Sequence, residues 1–229
     1  MEYPAGFDSY LTATWFIDCD NPAVSAYAHQ VASGCVTDEE RAVRIFYAVR
    51  DGVRYDPYSV SDEPLDYQAS SVLARRVAYC VPKAVLLTAL ARSLGIPARL
   101  GFADVRNHLA SEKLLARLKS DLFVFHGYTE MWLGNRWIKA TPAFNIELCQ
   151  RFDVKPLDFD GIHDALFHEF STDGRRHMEY VSYRGTFADL PLEEILDAFD
   201  KEYGGLSQVP QSNHDHDELF DGAAGVPAR

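Results

Sequence analysis

Three stretches of this chain predict an α+β fold in which one buried helix packs on an antiparallel sheet. The first is Cys80 to Gly95, apolar nearly all round. Ala84, Leu87, Ala91 and Leu94 share one helical face, Val81, Val85, Leu86 and Leu90 fill most of the rest, and only Lys83 and Arg92 are clearly polar. The second is residues 121–144, where aromatic and β-branched residues flank Gly134-Asn135, a dipeptide that fits a two-residue hairpin turn. The third is a pair of helical patterns ahead of both, so that helices come first and the sheet follows.

Residues 1 to 18 mix aromatic and β-branched side chains and read as a segment running extended across the domain. Asp20 or Asn21 before Pro22 caps a first helix, with Val24, Tyr27, Ala28 and Val31 at helical spacing up to Gly34. Thr37-Asp-Glu-Glu40 is a capping box for a second, which ends near Gly52. Arg54 to Tyr67, with Pro57 and Pro64, reads as an ordered loop, and Ser70 or Ser71 then caps a short helix that delivers the chain to Cys80. Pro82 is tolerable only in a first turn, which fixes the start of the long helix near Cys80; Gly95 and Pro97 end it.

Beyond the long helix, Ala98 to Val105 suits a buried strand and Ser111 to Leu118 a peripheral helix. Past the hairpin, Arg151 to Phe159 is a Pro-containing connection. Ala165 to Ser171 and Arg175 to Tyr183 then flank Thr172-Asp173-Gly174 as a second hairpin, and Pro191 to Asp200 is a short amphipathic helix. The composition from Gly204 on predicts disorder. The expectation is a single domain over 1–203 with its core at about 70–145, and a tail at 204–229.

Composition excludes some functions. With 47% hydrophobic residues and a net charge of -12, from 22 Lys and Arg against 34 Asp and Glu, the chain supplies no obvious cationic face for nucleic acid or anionic membranes. No apolar run reaches the roughly 18 residues of a membrane span, and the first residues lack a basic segment followed by an apolar one, so the expected location is cytoplasmic. Cys19, Cys35, Cys80 and Cys149 are widely separated with no Cys-x-x-Cys pair, which speaks against a zinc knuckle or disulfide framework and for reduced thiols.

The position of Cys80 carries the chemistry. A thiol at the positive end of a helix dipole, with Lys83 nearby, is expected to favour thiolate. In the hairpin, Leu133 and Arg136 flanking the turn set a register in which opposed residues sum to 269. That pairs Trp132 with Trp137, Glu130 with Lys139 and Tyr128 with Thr141. In this register His126 opposes Ala143, and Thr141 and Asn145 are its diagonal neighbours on the same face. A helix-start cysteine followed by a strand histidine with a polar neighbour is the arrangement that nucleophilic thiol chemistry uses.

From Ser70 to Asn145 the landmarks resemble the transglutaminase-like superfamily, the papain-related group of transglutaminase cores and bacterial cysteine peptidases or amidases. Cys80 sits where the family's nucleophile opens a helix, and Ala84 to Pro97, ending in Gly95-Ile96-Pro97, resembles the run that follows it. His126 and Glu130 match the His-x-x-x-Glu strand, and Trp137 is similar to the tryptophan starting the next one. The family's Asp-Pro, whose Asp completes the triad, is here Thr141-Pro142.

The resemblance implies a papain-like, transglutaminase-like core and acyl transfer from an amide through a Cys80 thioester. In that reading His126 is general acid and base, and Thr141, or alternatively Asn145, orients its ring. Release to water makes the protein a cysteine protease or amidase acting on a peptide or small amide, with no cofactor and no metal. The alternatives are amine transfer to protein glutamine, or a non-catalytic domain that keeps the cleft to bind peptides.

Overall fold

Asn21 and Pro22 start the first helix as their chemistry requires. The Asn21 carboxamide oxygen accepts the Ala23 N–H at 3.0 Å, and α1 spans Pro22–Val31. The computed structural model describes residues 3–4, 6–108, 112–151, 154–166 and 178–204. Helix α2, Asp38–Gly52, opens on the expected capping box: the Thr37 hydroxyl accepts the Glu40 N–H at 3.2 Å, and the Glu40 carboxylate accepts the Thr37 N–H at 3.3 Å. Strand β1, Arg54–Tyr55, follows, and within the expected loop Pro64–Tyr67 winds into a 3-10 turn.

Helix α3, Ala69–Arg75, has a different cap from the serines expected. Its N-cap is Gln68, and the orphan N–H of Ser70 is satisfied at 3.0 Å by the distant carboxylate of Asp18. A cap supplied across 52 residues leaves no local sequence signal. Strand β2, Val77–Ala78, pairs in parallel with β1 and delivers the chain to α4, Cys80–Ser93. Every residue of α4 from Cys80 to Arg92 is buried, and Gly95, at φ +76°, turns the chain out of it.

The two polar side chains of α4 are spent structurally. The Arg92 guanidinium donates to the carbonyls of Ala98, Thr12 and Ala188 at 3.0, 2.8 and 2.6 Å, tying three segments together. The Lys83 ammonium donates to the carbonyls of Arg50 and Val53 at the end of α2, and burial pulls its pKa down to about 7.

Strand β3, Ala98–Asn107, precedes helix α5, Glu112–Leu118, strand β4, Leu122–Leu133, and strand β5, Arg136–Ala140. Helix α6, Ile146–Arg151, was not anticipated; strand β6, Met178–Phe187, and helix α7, Leu192–Tyr203, complete the described elements. The main sheet is antiparallel in the order β5-β4-β3-β6. The β4–β5 hairpin has the expected register, from Leu133 with Arg136 to Thr129 with Ala140, and both turn residues take positive φ, +54° for Gly134 and +63° for Asn135.

Trp132 and Trp137 meet edge to face at 5.4 Å and Phe7 packs on both, so the N-terminal segment covers this end of the hairpin. Glu130 lies opposite Lys139, but its carboxylate is taken by Arg99 of β3 at 2.7 Å. Strand β6 pairs with β3, while Ala165 bridges in parallel to Ala140. Residues 167–177, which hold most of the first arm, the turn and the start of the second arm of the expected second hairpin, lie outside the described residues, as does the expected 204–229 tail beyond Gly204. No helix among the described residues is long and apolar enough to cross a membrane.

Candidate active site

The start of α4 meets β4 at the peptide that joins His126 to Gly127. The sulfur of Cys80 lies under the influence of the Gly127 N–H, and of the N–H groups of Val81 and of Cys80 itself, two donors left free at a helix start. Gly127 permits this approach because a Cβ there would stand 3.0 Å from the Val81 Cα and 3.3 Å from both the Val81 Cγ2 and the Phe102 ring. Two residues on, the Thr129 hydroxyl donates to the Ala84 carbonyl at 3.0 Å and lies 3.2 Å from the Thr88 hydroxyl, so the same side of β4 is bolted to the next turn of α4.

Burial decides the thiol's resting state. It pushes Cys80 up to about 11, against the pull of the three N–H groups and, weakest, of Lys83. The expectation that dipole and lysine favour thiolate is thus corrected: Cys80 is buried, at 8% exposure, and the Lys83 ammonium is turned to the α2 carbonyls. Ionisation of Cys80 needs a proton acceptor beside it, and the imidazole on this strand is the residue type suited to that task.

His126 is buried and opposes Ala103 of β3. The strand is irregular just before it. Ala103 pairs with His126 and Val105 with Phe123, so β4 spends three residues where β3 spends two. Phe125 carries the bulge, at φ +53°. Its N–H donates to Asp104 at 3.1 Å, and the backbone on its other side is held by Tyr203 of α7, whose hydroxyl accepts the Val124 N–H at 2.9 Å and donates to the Leu122 carbonyl at 3.0 Å.

The expected orienting groups are placed as follows. Strand β5 ends at Ala140, so Thr141 lies one residue past the ladder, its N–H on the Ala165 carbonyl at 2.8 Å. Its hydroxyl is buried and makes no hydrogen bond among the described residues, so the bond to His126 expected of it is not formed. Asn145 is engaged elsewhere. Its oxygen accepts the Tyr55 N–H at 3.1 Å and its nitrogen donates to Glu147 at 2.6 Å, which anchors the loop after β5 to β1. Pro142 ends the ladder before Asn145 can stand diagonal to the histidine.

Sequence reasoning missed Gly127, Asp104 and Tyr203. A glycine inside a strand and an aspartate in the middle of a buried one were signals available for the first two. Tyr203 left none.

The model of the transglutaminase-like superfamily core matches residues 25–142 of this chain. A putative cysteine protease from Cytophaga hutchinsonii superposes with a TM-score of 0.49 at 16% identity, over 81% of this chain and 55% of that one. A putative protease from Parabacteroides distasonis gives 0.39 at 14% identity, over 61% and 27%. The chain therefore spans about half of the first structure's length and about a quarter of the second's. No curated protein matches it. The family match covers just over half of the chain and takes in α4, the His126 strand and Thr141, so the chain belongs to the transglutaminase-like superfamily.

Proposed function

We propose that the protein is a cysteine-dependent amidase or peptidase that works through a Cys80 thioester. The Cys80 proton passes to the imidazole of His126. The sulfur attacks the amide carbonyl and the C–N bond breaks, the imidazolium giving its proton to the leaving amine. A water deprotonated by the same imidazole then cleaves the thioester and restores the thiol. The N–H groups at the start of α4 are donors for the oxyanion.

One observation carries this reading: a Cβ on Gly127, the neighbour of His126, would stand 3.0 Å from the Cα of Val81, the neighbour of Cys80, so the helix start and the base strand are packed against each other beside these two residues. The test is the pH dependence of iodoacetamide alkylation at Cys80 in wild type and His126→Ala. Rapid labelling at pH 6 that collapses in the variant supports a thiolate-imidazolium pair; slow labelling unchanged by the variant removes the catalytic role. The uncharged Thr141, with its unbonded hydroxyl, favours one second reading, a peptide-binding domain without turnover. Capture of peptides by a Cys80→Ala variant, with no cleavage by wild type, would identify it.

A further inference from the structure

The bulge before His126 is held by a cluster that neither the family's motifs nor the proposed mechanism uses. Asp104 is 4% exposed and sits between two strands. Its Oδ1 accepts the Phe125 N–H at 3.1 Å and Arg184 Nε at 2.9 Å; its Oδ2 accepts the Ser182 hydroxyl at 2.7 Å and a second Arg184 nitrogen at 2.9 Å. The Arg184 guanidinium also lies 5.0 Å over the Phe125 ring, and the Phe102 ring lies 5.6 Å from it.

A bulky residue at positive φ is uncommon and persists only where its surroundings over-determine it. Here the carboxylate holds the Phe125 N–H and the guanidinium caps its ring, both aimed at one residue. The consequence falls on His126. Straightening the strand at Phe125 would change the register by one between the part of β4 fixed to Tyr203 and the part fixed to α4, and a one-residue change reverses the side to which a strand residue points. Arg184 neutralises the Asp104 charge, so what Asp104 supplies is geometry rather than a field on the imidazole.

We propose that Asp104, paired with Arg184, is a positioning residue that holds the Phe125 bulge and so sets the direction of His126 toward Cys80. The proposal rests on the thiol-imidazole reading above.

The experiment compares wild type, Asp104→Asn, Asp104→Ala and Ser182→Ala by the Cys80 alkylation rate at pH 6 and pH 10, with urea midpoints alongside. At pH 6 labelling depends on the imidazole and at pH 10 much less so. The expected result is a fall of about tenfold or more in the pH 6 to pH 10 rate ratio for both Asp104 variants, Ala beyond Asn, as expected for a displacement of the order of 1 Å. Ser182→Ala, which leaves the Phe125 bond intact, should keep the wild-type ratio at a comparable loss of midpoint. An unchanged ratio in folded Asp104→Asn overturns the proposal whatever happens to stability. Should wild type itself show no His126-dependent labelling, the catalytic reading fails by that control alone. The clamp is then decided by NMR: a His126 ring shift altered in Asp104→Asn upholds it, and an identical one refutes it.

Discussion

Replacing Gly127 by alanine tests the site with one methyl group. The new Cβ would stand 3.0 Å from the Val81 Cα, where ordinary contact begins at 3.4 Å. The Val81 side chain and the Phe102 ring can turn away, but a Cα yields only if the backbone moves, so the start of α4 must retreat from β4 by about 0.4 Å and, for comfortable packing, by about 1 Å. A misplacement of 1 Å costs reacting groups roughly 100-fold in rate, and the same scale at 0.4 Å gives about 6-fold. Overpacking of this kind destabilises by about 1–3 kcal/mol, which a domain of this size survives. Gly127→Ala should therefore remain folded in a urea titration while pH 6 alkylation of Cys80 slows by about 6- to 100-fold. Labelling within twofold of wild type would refute the reasoning, because it would mean that the close approach of α4 to β4 does not set the thiol-imidazole distance.

Two other changes read the electrostatics. Lys83 has a folded-state pKa of about 7, below its unfolded value of about 10.4, so between those limits the unfolded chain binds more protons and stability rises with pH, by up to about 5 kcal/mol. Cys80 and Cys149, both raised to about 11, act in the opposite sense above about pH 8.5, so the quantity to follow is the difference between wild type and Lys83→Met. Wild type should gain on the variant from pH 7 to pH 10 in urea midpoints, and a pH-independent difference would show that Lys83 is not held as described. Thr141→Asp restores the family's charge at a buried hydroxyl that bonds to nothing described. A carboxylate within about 4–6 Å raises an imidazole pKa by about a unit or more, so pH 6 labelling should rise roughly tenfold at a cost of about 1–3 kcal/mol in stability; a folded variant that labels no faster places residue 141 out of reach of His126.

What was legible in the sequence is what depends on neighbours in the chain. The Thr37 capping box, the Pro82 start of α4 and the Gly134-Asn135 register are local rules, and each has the expected outcome. What was not legible depends on partners far away. Asp18 caps α3 across 52 residues, Arg99 rather than Lys139 claims Glu130, and Tyr203 satisfies a bulge 79 residues upstream. The candidate site divides along the same line. Cys80 and His126 were visible as motif residues, whereas the commitment of Asn145 to Tyr55 and Glu147 follows from where β1 happens to run.

The electrostatic expectation failed for a reason that sharpens the mechanism. A helix start and a nearby lysine each favour a thiolate, yet a thiol at about 11 is ionised in roughly one molecule in 10⁴ at pH 7. The enclosure that α4 needs in order to pack also withholds the water that would stabilise the anion. In the proposed mechanism, transfer of the proton to His126 avoids that penalty in part, because it creates a charge pair instead of a lone charge, and a pair gains from the same low dielectric that penalises one ion. Gly127 is then the pivot. Its N–H helps the sulfur carry charge, and its missing Cβ lets the sulfur come close enough to hand over the proton. Alanine keeps the N–H but, by pushing α4 away from β4, draws the sulfur back from it too, so the loss of labelling in Gly127→Ala measures the approach of helix to strand as a whole.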